Sequence, residues 1–191
     1  MDQARDAHAR AADMSVAQRR PPLWLLIAIT AIAPFALNVF VPSMPGLAAQ
    51  FGAGPDEAQL TLTFFLVGVA VGQLACGPVS DRLGRRPVLL AGLALFTAAT
   101  LLCLLAPTLP LLIAGRLLQA LGACAGLVLG RAIVRDTVDP AHVAGALGIL
   151  NGVMAAAPAI APAIGGFLDT WQGWRASFLV LLALGAILLA L

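Results

Sequence analysis

The stretch "GPVSDRLGRRPVLL", residues Gly77–Leu90, joins two apolar segments through a short and highly charged connection. One apolar run precedes it from near Leu60, and another follows it as far as Ala106. The connection holds an acid, three arginines and two glycines, which are Asp81, Arg82, Arg85, Arg86, Gly77 and Gly84. Arginines at the end of an apolar run mark the cytoplasmic side of a membrane. The pattern therefore predicts two antiparallel membrane helices joined at the cytoplasmic face by the loop Asp81–Arg86.

The composition makes lipid the solvent for most of this chain. Hydrophobic residues form 61% of its 191 residues and charged residues only 10%, whereas a soluble domain carries about 25% charged residues. A soluble domain of this length has too little interior to bury so much apolar surface. The sequence therefore predicts an all-α integral membrane protein in contact with the lipid bilayer.

Six apolar runs have the length of a membrane-spanning helix, which needs about 20 residues. They lie at about 23–42, 59–79, 87–106, 109–131, 141–168 and 174–191. The hydrophilic residues 1–21 are predicted to form a cytoplasmic tail. Residues 22–191 then form one six-helix transmembrane bundle.

The arginines set the predicted orientation of the chain. All 11 basic residues are arginines, and they cluster in the N-terminal tail, at Arg82–Arg86 and at Arg131–Arg135. The predicted loops at 43–58 and 107–108 carry no positive charge. This asymmetry predicts a cytoplasmic N-terminus and a multi-pass topology. Arg175, near an outer boundary, is an exception to the pattern.

Polar side chains inside the apolar runs are candidate functional groups, because such residues are costly in a membrane. Arg116 and Gln119 lie three residues apart on the same predicted helix face. Asn38, Gln73 and Asn151 contribute one polar group each to the first, second and fifth runs. Each of these side chains alone could be an interhelical hydrogen-bonding group. Together they predict a polar cavity among the first, second, fourth and fifth helices, in which Met154 offers an adaptable apolar contact.

Small residues recur at intervals that suit close helix packing in lipid. Three such sets are the pair Gly68 and Gly72, the series Gly122, Gly126 and Gly130, and the pair Gly148 and Gly152. The stretch "APAIAPAIGG", Ala157–Gly166, adds two prolines, each of which removes a backbone donor and bends a helix. A bend at Pro158 and Pro162 suits a moving bundle, and it suits a static kinked helix equally well.

No catalytic or metal-binding pattern is present in the sequence. His8 and His142 are far apart, and Cys76, Cys103 and Cys124 have no metal or redox spacing. We expect the three cysteines to be buried free thiols. We expect no enzymatic activity, no metal site and no nucleic-acid partner.

Three motifs resemble those of the major facilitator superfamily of transporters. The stretch Gly77–Arg86 is similar to the superfamily motif G-x-x-x-D-R-x-G-R-R/K between the second and third helices. "RLLQALGA", Arg116–Ala123, resembles the fourth-helix motif R-x-x-Q-G-x-G, with alanine in place of its first glycine. The stretch Ala157–Gly166 is similar to the motif G-x-x-x-G-P-x-x-G-G of drug/proton antiporters. Pro162, Gly165 and Gly166 match it, and alanines replace the first two glycines.

Four further stretches resemble the Bcr/CflA drug-resistance family in particular. They are "NVFVPSMPGLAAQFG" at 38–52, "VGVAVGQLACGPVSDRLGRRP" at 67–87, "RAIVRD" at 131–136 and "GWRASF" at 173–178. One departure concerns the coupling ion, because Asn38 stands where that family usually has an aspartate, and asparagine cannot carry a proton. Asp136 is a possible substitute, or it pairs or caps at the cytoplasmic end of the fourth helix.

The resemblance implies an exporter of drugs or small metabolites in the bacterial inner membrane. It implies proton-coupled antiport by alternating access, with the proton gradient as the energy source and no cofactor. It also implies that Gly77 and Asp81 gate the cytoplasmic end against a second half. The six helices correspond to the N-terminal half of a 12-helix fold, so we expect a partial chain that lacks a C-terminal six-helix half. An uptake symporter of the same fold and a truncated, non-transporting membrane protein are the alternatives.

Overall fold

The computed structural model describes residues 21–191, which form helices and short connections without any strand. Five helices are long and apolar enough to cross a membrane, and a sixth apolar helix is shorter. In chain order the helices are Leu23–Asn38, Met44–Phe51, Pro55–Leu83, Arg85–Leu105, Leu109–Thr137, Pro140–Gln172 and Arg175–Ala190. The first two together form the first span, and the other five are the second to sixth spans. The predicted six-helix bundle is confirmed. Of the predicted tail, residues 1–20 lie outside the described residues.

The first span is divided, whereas the sequence predicts one helix over 23–42. The helix Leu23–Asn38 is followed by a 3₁₀ turn at Val41–Ser43, and the helix Met44–Phe51 then continues the span. Pro42 has no backbone N–H to donate to the carbonyl of Asn38, and its ring crowds that carbonyl. This proline therefore accounts for the end of the helix. The division leaves carbonyl groups of the first span free for other partners.

The connection between the second and third spans is a single residue rather than the predicted loop Asp81–Arg86. The second span runs to Leu83 and the third begins at Arg85, with only Gly84 between them. Gly84 has a φ of +93°, a conformation that side chains disfavour. The prediction was wrong about the loop because it equated charged residues with non-helical ones. Both helices extend beyond their apolar segments, and the charged residues lie on their ends.

The fourth span is the most buried of the long helices and packs against the first, second and third. Its partners approach closely, because small residues face one another. A side chain at Gly72 would meet Cys124, and one at Gly122 would meet the backbone of Phe96. All three cysteines are buried and free, as predicted.

The fifth span packs on the first through Gly165, where a side chain would collide with the carbonyl of Val39. The helix Pro140–Gln172 continues through Pro158 and Pro162. Their predicted role as a hinge stays a prediction. A side chain at Gly148 or Gly152 would meet nothing within 4 Å in the described part of the chain. Their face of the fifth span is open in the described bundle, so the packing role of these two glycines stays a prediction.

We expect Gly165→Ala to lower the thermal stability of the protein, because the added methyl group would meet the Val39 carbonyl. Overpacking of this kind costs about 1–3 kcal/mol. The matched control is Gly148→Ala in the same helix, where the helix propensity of alanine is favourable by up to about 1 kcal/mol. Thermal unfolding in detergent, followed by tryptophan fluorescence, compares the variants. Equal melting temperatures for both variants would contradict the close contact of the first and fifth spans.

Candidate functional site

Arg116 is the central polar residue of the bundle and is fully buried. Its Nη1 donates to Gln119 Oε1 at 2.6 Å and to the carbonyl oxygen of Ala36 at 3.3 Å. Gln119 Nε2 in turn donates to Thr100 Oγ1 at 2.8 Å. One hydrogen-bonded network therefore joins the first, third and fourth spans. It confirms that Arg116 and Gln119 share a helix face.

No carboxylate pairs with Arg116 among residues 21–191. Two features stabilise its positive charge instead. The Ala36 carbonyl belongs to the last turn of the helix Leu23–Asn38, and the C-terminal end of a helix attracts cations. The guanidinium carbon also lies 4.2 Å from the ring centre of Phe65 and 5.0 Å from that of Phe40, within the range of cation–π attraction. Phe178 approaches it from the sixth span at 5.8 Å.

The other predicted cavity residues lie apart from this network. Asn38 is half-buried, and its amide donates to the carbonyl of Pro34 at 2.7 Å. Gln73 and Asn151 lie on exposed positions of the second and fifth spans. The structure thus brings Arg116 and Gln119 together inside the bundle and leaves two other polar groups on its open faces. A common cavity for all of them stays a prediction.

Met154 is half-buried and contacts a residue that the predicted site did not include. Arg131 Nη2 lies 3.2 Å from Met154 Sδ, which joins the fourth and fifth spans. A thioether is a weak acceptor for a guanidinium. The signal for this contact in the sequence is slight, because Arg131 lies at the boundary of an apolar run, where an arginine indicates the orientation of the chain.

One end of the bundle carries residues 81–86 and 131–139 and is here named the arginine-rich end. The motif Gly77–Arg86 takes part in an ion-pair network at this end. Arg85 lies 2.9 Å from Asp81 Oδ1 and 3.3 Å from Asp136 Oδ2. It also donates to Ser80 Oγ at 2.9 Å. Arg85 thereby joins the ends of the second and fourth spans. The expectation that Asp136 pairs at the end of the fourth helix is confirmed.

The remaining motif residues lie around this network. Arg82 and Arg86 are exposed, and Gly84 forms the turn. Gly77 lies one turn before Asp81, and a side chain there would meet nothing within 4 Å. This surface of the second span is therefore free to receive another helix.

The opposite end of the bundle is held together without an ion pair in the described residues. Trp174 Nε1 and Arg175 Nη1 donate to Gln50 Oε1 at 2.6 and 3.2 Å. Arg175 Nε also donates to the carbonyl of Leu104 at 3.4 Å, in the last turn of the third span. The helix C-terminus attracts this cation. That contact explains why an arginine lies at the end of the bundle where the charge pattern predicts none.

Residues 19–191 match the family model of the Major Facilitator Superfamily. The chain belongs to the Major Facilitator Superfamily. It is 39% identical over 170 residues to the uncharacterized MFS-type transporter YdgK of Bacillus subtilis, covering 88% of this chain and 42% of the relative. It is 35% identical over 164 residues to multidrug resistance protein D of Escherichia coli, covering 86% of this chain and 42% of that protein. A chloramphenicol resistance protein of Pseudomonas aeruginosa is 39% identical over 164 residues, covering 85% and 39%.

The chain spans about two fifths of the length of these curated relatives and corresponds to their N-terminal half. The predicted superfamily is thus confirmed, and the chain is a multi-pass membrane protein. The Arg116–Gln119 and Asp81–Arg85 contacts are therefore contacts inside the six-helix half of a superfamily member.

We expect Gln119→Leu to destabilise this superfamily member by about 1–3 kcal/mol, because the buried Arg116 loses an acceptor. The double variant Arg116→Met/Gln119→Leu removes the charge and its acceptor together. Apolar replacement of a whole buried polar pair is often neutral. The double variant should therefore be less destabilised than the sum of the two single variants.

Thermal unfolding is measured for the unchanged protein, the single variants Arg116→Met and Gln119→Leu, and the double variant. The four stabilities give the coupling free energy of the two side chains. Gln73→Leu is the matched control, since Gln73 is exposed and should contribute little to stability. Strict additivity of the Arg116 and Gln119 substitutions would contradict the network.

Proposed function

We propose that this chain is part of a transporter that exports drugs or small metabolites across the membrane. The observation that carries this proposal is its similarity to relatives named multidrug resistance protein D and chloramphenicol resistance protein. Superfamily membership supports transport rather than enzymatic catalysis.

The open faces of the second and fifth spans support an alternating-access mechanism. Transporters built from two repeats bind substrate near the membrane midplane, between the repeats. Here Gln73 and Asn151 are exposed on these two spans, and Gly148 and Gly152 leave room for a close neighbour. We assign this surface to the contact with a second six-helix half and to the substrate path. Arg116 and Gln119 lie behind it and hold the wall of the path together.

The proposed energy source is the proton gradient, with no cofactor. The proposed location is the bacterial inner membrane, with the arginine-rich end and the N-terminus in the cytoplasm. The exposed Trp24 and Trp171 lie near opposite ends of the bundle, where tryptophan is enriched at the two membrane–water interfaces. These positions support a membrane-spanning orientation.

Drug accumulation in cells that express the complete protein tests the export proposal. Export predicts lower accumulation of chloramphenicol or a dye substrate than in cells without the protein, and a protonophore should abolish the difference. Higher accumulation would indicate an uptake symporter. Unchanged accumulation of every compound tested, with the protein present in the membrane, would indicate a non-transporting protein.

Asp81→Asn should lower transport several-fold with little effect on membrane insertion or thermal stability. Asp81 is exposed and its ion pair with Arg85 lies at the surface, where such pairs contribute about 0–1 kcal/mol. Its proposed role is instead in the contact with the second half, as part of the cytoplasmic gate. The matched control is Asp56→Asn, an exposed acid at the start of the second span. The gating role fails if the Asp81 variant loses transport and membrane insertion in equal measure.

A further inference from the structure

Arg131 of the fourth span carries a positive charge that the described residues do not compensate. Within residues 21–191 its guanidinium makes one hydrogen bond, from Nη2 to Met154 Sδ at 3.2 Å. A thioether is an uncharged and weak acceptor. Nε of the same guanidinium is buried and has no partner in these residues. Arginines inside membrane proteins are almost always paired, so this side chain calls for an acceptor of negative charge.

The acids of the described chain are engaged or distant. Asp81 and Asp136 both pair with Arg85, and Asp139 accepts a hydrogen bond from the backbone at the start of the fifth span. The other acids within 21–191 lie at the opposite end of the bundle, and they are Asp56, Glu57 and Asp169. The acceptor for Arg131 is therefore to be sought outside residues 21–191.

The guanidinium of Arg131 points into the membrane rather than out of it. In a helix the Cα–Cβ bonds tilt toward the N-terminus, and the fourth span begins at Leu109, at the end opposite the arginines. The contact with Met154 agrees with this direction, because Met154 lies fourteen residues after Pro140, the start of its helix at the arginine-rich end. That interval is about 20 Å of helix. Arg131 therefore does not extend toward the water at its own end of the bundle.

A ligand can reach this guanidinium from the open face of the fifth span. Arg131 and Met154 are both half-buried. Asn151 is exposed three residues before Met154, and a side chain at Gly148 or Gly152 would meet nothing within 4 Å. Met154 thus lies at the edge of the surface that the proposed function assigns to the substrate path.

We propose that Arg131, at its contact with Met154, binds an oxyanion, which is a carboxylate or phosphate group. The planar guanidinium matches the oxygens of such groups and forms strong, charge-assisted hydrogen bonds with them. The flexible thioether of Met154 adapts to the apolar part of the ligand. As a contact with the exported compound, the site rests on the proposed function, and it assigns acidic compounds as the substrate class. Anionic lipid headgroups present the same chemistry.

The test measures anion binding without transport, so its failure leaves the export proposal standing. Thermal unfolding of the complete protein in detergent is followed by tryptophan fluorescence while inorganic phosphate replaces chloride at constant ionic strength. A ligand that binds only the folded protein raises its melting temperature. We expect a rise of roughly 2–4 °C at saturating phosphate for the unchanged protein.

Arg131→Gln should raise the half-saturating phosphate concentration about tenfold or more, because a charge-assisted hydrogen bond is lost. The matched control is Arg135→Gln, which removes an exposed arginine one turn further along the same helix and should keep the full response. If Arg131→Gln does not fold, Arg131→Lys decides, since lysine keeps the charge without the planar donors. It should weaken phosphate binding several-fold, and unchanged binding in this variant would overturn the proposal.

A second arm distinguishes a free anion from a lipid headgroup. The same unfolding is measured in mixed micelles of the detergent with phosphatidylglycerol or with phosphatidylcholine. A rise with phosphate that Arg131→Gln loses identifies a soluble oxyanion, and a rise with phosphatidylglycerol alone that Arg131→Gln loses identifies a lipid. An acid elsewhere in the complete protein that already pairs with Arg131 would abolish both responses. The proposal is overturned by that result, and equally if Arg131→Gln responds as the unchanged protein does.

Discussion

The buried guanidinium of Arg116 is the interaction on which the arrangement of the helices depends. A positive charge at membrane depth is expensive unless it is well compensated. Its hydrogen-bond partners are Gln119 on its own helix and the carbonyl of Ala36 on the first span. Aromatic rings from the first, second and sixth spans surround it. Four helices must therefore keep their positions around one side chain, and displacement of any of them would expose the charge to apolar surroundings.

The break in the first span makes the contact between Arg116 and the Ala36 carbonyl possible. An unbroken helix would bond the Ala36 carbonyl to its own backbone, and Arg116 would have no helix end to contact. The break that Pro42 imposes frees this carbonyl and also that of Val39, which accepts a hydrogen bond from Ser177 Oγ at 3.4 Å. Gly165 then packs directly on Val39. The fourth, fifth and sixth helices thus contact the first span at the end of its helix Leu23–Asn38 and at Val39 just beyond it.

The sequence predicts those features that depend on composition and local spacing. Six apolar runs and the three-residue interval between Arg116 and Gln119 were enough to predict the helices and the helix face that these two side chains share. The single-residue turn at Gly84 was missed because hydropathy shows where the apolar segment ends, not where the helix ends. The break at Asn38 had a signal in Pro42, but a proline can also bend a membrane helix without dividing it. The clamp of Gln50 by Trp174 joins residues 124 positions apart, and local patterns hold no information on such a pair.

The two ends of the bundle are built for different purposes in the proposed cycle. At the arginine-rich end, Arg85, Asp81 and Asp136 are joined by exposed ion pairs, each of which contributes little to stability in water. Breaking such an ion pair costs little free energy. The proposed cytoplasmic gate needs contacts of this kind, because they would have to break and form again as a second half approaches and withdraws. At the opposite end, the tryptophan, glutamine and arginine of the clamp bind one another and a helix end across three elements. This arrangement joins the first, third and sixth spans at one end, and in the proposed cycle it would hold them together while the charged end changes partners.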